Sequence, residues 1–85
     1  MSANFHIYAT KSKKMDKQNF SFNCWQTPTS ITLYIMGNKN PINAYIDWVK
    51  SRNFSYDIIE NHLLELDGWI KSVQQDGFDI RWEAW

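Results

Sequence analysis

Ser30-Ile31-Thr32-Leu33-Tyr34-Ile35-Met36, SITLYIM, lies before the midpoint of an 85-residue chain. Its reading decides how many strands the fold contains. Ile31, Leu33 and Ile35 alternate with Thr32, Tyr34 and Met36. Alternation with β-branched and aromatic residues is the pattern of a half-buried strand. The residues upstream agree. In NFSFNCWQT, residues 19–27, Phe20, Phe22 and Cys24 alternate with Ser21, Asn23 and Trp25. Pro28 then sits in a turn, TPTS. In NFHIYAT, residues 4–10, Phe5, Ile7 and Ala9 alternate with His6, Tyr8 and Thr10, and the polar run KSKKMDKQ follows as a loop. Three period-2 segments in a row predict an antiparallel meander.

Downstream of SITLYIM the period changes. Asn40 is a good N-cap and Pro41 suits the first helical position, where the amide it lacks has no partner anyway. Ile42, Tyr45, Ile46 and Val49 then share one helical face. Ser55 caps a second helix. In it Ile59, Leu63, Leu66, Ile70 and Val73 recur at steps of four, three, four and three, the strongest periodic signal in the chain. That stripe runs through Gly68, so one helix over 55–75 is expected, about 31 Å long at ~1.5 Å per residue. Gly77 ends it as the C′ residue. FDIRWEA, residues 78–84, alternates again, with Phe78, Ile80 and Trp82 on the core side and Trp85 with the charges.

These readings predict a single domain over residues 1–85. Its class is α+β: a two-layer sandwich with an about four-stranded, mainly antiparallel sheet, order β-β-β-α-α-β, and two helices on one face. The other sheet face then carries Tyr8, Trp25, Tyr34, Met36, Arg81 and Trp85. Aromatic residues, Met and Arg in that setting are the composition of a contact surface. Beside the helical stripes, Trp48 on the first helix and Ile58, His62, Glu65 and Trp69 on the second are expected to pack on each other.

Five Trp, four Tyr and five Phe let so short a chain build its core from few large side chains. Net charge is zero but uneven. Residues 1–40 hold five Lys against one Asp, and residues 41–85 hold eight acids against four bases. Cys24 is the only cysteine, so no internal disulfide forms. No apolar run reaches ~18 residues and MSANFHIYAT has no signal-peptide core, so the expected compartment is the cytoplasm.

Chemistry is sparse. Three scattered glycines make no phosphate loop, and His6 and His62 have no third ligand at metal spacing. Cys24 falls in a core-facing set, where cysteine acts as a small hydrophobe. Neither an enzyme, a cofactor nor a metal site is expected. The leading expectation is a small cytoplasmic protein-binding module, an inhibitor, an adaptor or a homodimer, working through the aromatic sheet face. The Lys-rich, Asn- and Ile-rich composition fits the small orphan products of phage or mobile elements. The alternative is a single-stranded nucleic-acid binder that adds Lys11, Lys13, Lys14 and Lys17 to the same rings. A weaker third expectation is a small-ligand site between sheet and helices.

Overall fold

The structure, a computed structural model, describes residues 3–11 and 21–85. Two strands and three helices form in the order β1 (Phe5–Thr10), α1 (Thr29–Met36), α2 (Pro41–Lys50), α3 (Tyr56–Gln75) and β2 (Asp79–Ala84). The strands pair antiparallel, with Phe5 opposite Ala84, Ile7 opposite Trp82 and Ala9 opposite Ile80. The mix is α+β, but the four-stranded sheet and its β-β-β-α-α-β order are wrong.

SITLYIM is helical, and the reason lies in its spacing. Ile31 and Ile35 are four apart, a step that keeps two residues on one face of a strand and of a helix alike. Leu33, two residues from each, separates the readings. A strand would bury it, whereas here it is 70% exposed and Thr32 only 2%. Pro28 sets the entry: its carbonyl accepts from Thr32 N at 2.9 Å, the first bond of α1. The buried face then consists of Thr32 and Ile35, with Ile31 and Met36 packed beside them.

Thr32 also ties α1 to β1. Phe5 N–H donates to Thr27 Oγ1 at 3.1 Å, Thr27 and Thr32 share a short hydroxyl contact, and Thr32 Oγ1 donates to Ala3 O at 2.9 Å. All three links satisfy groups in the buried interior that would otherwise be costly.

The second expected strand is replaced by an extended segment along the free edge of β1. Tyr8 and Ser21 form an isolated bridge, and Phe22 N donates to Ile7 O at 2.9 Å. A ladder goes no further because the next amides are taken elsewhere. Cys24 N folds back to Phe22 O at 3.0 Å, and Trp25 N donates to Tyr45 Oη at 2.7 Å. Phe20, assigned to the same strand, lies outside the described residues.

The helices after α1 start where their sequence signals put them, although Ser55, at the N-cap position of α3, makes no side-chain cap bond. Asn40 Oδ1 caps α2 through a long bond from Asn43 N, with Pro41 at the first helical position. α3 is continuous through Gly68. Its end is a Schellman turn: Gly77, at φ +88°, donates to Gln74 O, and Phe78 N donates to Val73 O at 2.9 Å. One core joins Phe5 and Ile7 of β1, Ile35 of α1, Ala44, Tyr45 and Val49 of α2, and Leu66 of α3. Trp82 lies opposite Ile7 but is 38% exposed and stands outside this cluster, so its expected place in the core is corrected. β2 is an edge strand, and the helices reach Ile80 but not the ring two residues on.

Candidate binding surfaces

The six residues expected on one sheet face are dispersed, because the third strand is a helix and the second is not a strand. Tyr8, on β1, is buried and its hydroxyl donates to Glu83 Oε1 at 3.3 Å. Trp25 lies in the extended segment. Tyr34 is exposed on α1, while Met36 of the same helix is half-buried against the core. Arg81 is exposed on β2, opposite Tyr8. Trp85 follows β2 and stacks on His6, with ring centroids 3.6 Å apart and planes within 5°. Tyr8, Arg81 and Trp85 alone are brought together. Of the lysines, Lys11 is exposed with its Nζ 5.1 Å from the centre of the Phe78 ring. Lys13, Lys14 and Lys17 lie outside the described residues.

The two helix flanks do not close on each other. Phe22 and Trp25 occupy the flank of α3 instead. Phe22 meets His62 and Trp69 at 5.5 and 5.6 Å between ring centroids, and Trp25 stacks on His62 at 4.4 Å. Beneath them is a buried polar knot. The Tyr45 hydroxyl hydrogen-bonds His62 Nε2 at 2.8 Å while accepting from Trp25 N. Burial lowers the His62 pKa, partly opposed by the nearby Glu65 carboxylate. Burial likewise raises Tyr45 and pushes the Cys24 thiol up to about 11, against hydrogen bonds from the Ile7 backbone and Tyr45. Such a thiol is almost wholly protonated at neutral pH, so Cys24 is built as a packing residue.

Among the described residues, two of the concavities lie on opposite flanks of the buried stripe of α3. The first, about 430 Å³, lies among Trp25, Gln26, Trp48, Arg52, Phe54 and Ile58. The Arg52 guanidinium sits 5.2 Å from the ring centres of both Trp48 and Phe54, and Phe54 meets Trp25 edge-on at 5.2 Å. The second, about 480 Å³, lies between α2 and α3. Ile59, Leu63 and Leu64 line it, Tyr56 stands at its rim, and Lys50 and Glu60 supply opposite charges. Tyr56 is 75% and Leu64 61% exposed. Asp67 at its far end is already paired, with Lys71 Nζ 2.9 Å from its carboxylate.

Of these linings, sequence reading expects Trp25, Trp48, Ile58, Ile59 and Leu63 in other places; Arg52, Phe54, Tyr56 and Leu64 were missed because they sit off the apolar stripes. The available signal was modest: Phe54, Tyr56, Ile58 and Leu64 are large hydrophobes at positions that the periodicity of α3 leaves outside. Among the described residues no three His, Cys, Asp or Glu side chains gather as a metal site. No described helix is long and apolar enough to cross a membrane. No family model, curated protein or solved structure matches the chain.

Proposed function

We propose that this protein works by binding another protein chain, and that a second copy of itself occupies the groove between α2 and α3. The observation that carries this is the open apolar groove itself, with Tyr56 and Leu64 presented to solvent beside Ile59 and Leu63. Exposing large side chains together costs solubility, and contiguous apolar surface of this kind marks contact sites. Charge supports a like partner. Lys50 stands on α2 and Glu60 on α3, and neither has an ion pair among the described residues. A two-fold axis through the groove sets each Lys50 against the other copy's Glu60, as a self-complementary interface requires. The proposed setting is the cytoplasm, supported by Cys24 being a free, half-buried thiol.

Sedimentation equilibrium tests the reading. The parent should be a dimer at micromolar concentration. Leu64→Ser with Tyr56→Ser should make it monomeric without unfolding it. Lys50→Glu should weaken the dimer, and Lys50→Glu with Glu60→Lys should restore it. A monomeric parent, or a dimer indifferent to Leu64→Ser, sinks self-association. Binding of single-stranded oligonucleotides that is lost when Lys11, Lys13, Lys14 and Lys17 become Gln would favour the nucleic-acid reading instead.

A further inference from the structure

We propose that the cleft among Trp25, Trp48 and Phe54 is a binding site for a small aromatic monocarboxylate, held through Arg52. Its volume of about 430 Å³ lies within the ~300–1,000 Å³ common for ligand pockets. Its walls are the rings of Trp25, Trp48 and Phe54 and the side chain of Ile58, and its polar groups are Gln26 and Arg52. Rings on several sides suit a flat apolar ligand, which gains from offset or edge contacts with each.

Arg52 sets the charge of that ligand. Its guanidinium lies over two rings at 5.2 Å each and pairs with no carboxylate among the described residues. These cation–ring contacts occupy no N–H group with an anion, and a guanidinium fork takes a planar carboxylate in a bidentate manner. The two ring contacts also restrict the exposed side chain, so less ordering is needed when the anion arrives. Trp25 is equally fixed, by its stack on His62. Among the described residues Arg52 is the only charged one lining the cleft, which disfavours a cationic ligand. A polyanion is disfavoured as well, because the described lining offers one cation and so one anionic group a charged partner. One negative charge on an aromatic body fits both constraints.

Indole-3-acetate serves as the probe, with indole-3-ethanol as its uncharged counterpart, and binding is followed by NMR on the ¹⁵N-labelled chain. Indole-3-acetate should shift the Trp25 and Trp48 indole signals and the Arg52 side-chain signal in a saturable manner. It should bind at least about tenfold more tightly than indole-3-ethanol, since the charge-assisted pair is lost with the alcohol. Arg52→Gln should remove that preference while leaving the folded spectrum elsewhere unchanged. Arg52→Lys, which keeps the charge and loses the fork, should fall between. The proposal fails if no cleft signal moves at millimolar probe, if alcohol and acid bind alike, or if Arg52→Gln binds the acid as the parent does. It also fails if an oligothymidylate moves the same signals at lower concentration.

Discussion

Tyr45 ties three parts of the interior together. Its ring stacks on Phe5 at 5.5 Å, and its hydroxyl joins Trp25 N and His62 Nε2. His62 is buried, and burial disfavours its cation. The unfolded chain therefore takes up this proton more readily than the folded one. Stability contributed by neutral His62 is complete above its ordinary pKa of 6.5 and declines as the pH falls below it. The melting temperature should drop between pH 7 and 5, and His62→Gln should flatten that slope. A parent with no slope there contradicts the buried, neutral imidazole. Cys24 makes a kinetic prediction. With its thiol pushed up to about 11, alkylation of the native protein should be far slower than that of free cysteine. Equal rates would mean that Cys24 is not packed against the core. Sequence parity already placed Cys24 inward. It had no means of showing that Tyr45, 17 residues before His62, reaches it through space.

At the scale of elements, α1 separates strand from helix through two adjacent residues. Thr32→Val removes the hydroxyl that links Thr27, Ala3 and Pro28, and should cost about 1–3 kcal/mol in denaturant unfolding. Leu33→Asp should change stability by less than about 0.5 kcal/mol, because Leu33 points to solvent. A strand there would reverse the two results. Gly68 supplies the matching test for α3. It lies inside the helix, and a Cβ added to it meets nothing within 4 Å. Gly68→Ala should therefore stabilise the protein by about 0.5–1 kcal/mol, through propensity alone. Loss of stability would mean that the helix bends at that residue. α2 and α3 were legible because apolar steps of three and four over many residues fit only one period. The eight-residue α1 was not, because its two isoleucines satisfy both periods and its β-branched residues lean toward strand.

Across the whole molecule, β1 and β2 bring together residues 69 to 79 positions apart, and Asn4 and Trp85 exchange backbone bonds at 3.0 and 3.1 Å beyond the ladder. Such long-range pairing is entropically costly and needs packing to hold it. Ile80 supplies it by meeting the core, whereas Trp82 stands partly in solvent. Trp82→Ala should accordingly cost about 1–3 kcal/mol rather than the ~3–5 of a fully buried tryptophan, measured by chemical denaturation. By itself the sequence determined the two long helices, with the start of α2 at Asn40 and Pro41 and the end of α3 at Gly77, and the inward parity of Phe5, Ile7 and Ala9. Those are local properties, written in spacing and in backbone preference. The tertiary structure alone decided that SITLYIM is helical, that Phe22 and Trp25 cover α3, and that concavities stay open on both flanks of α3. Each of these depends on which partner claims a buried group. Thr32 is inward because Thr27 and Ala3 need its hydroxyl, and the second strand stops because Tyr45 takes the amide of Trp25.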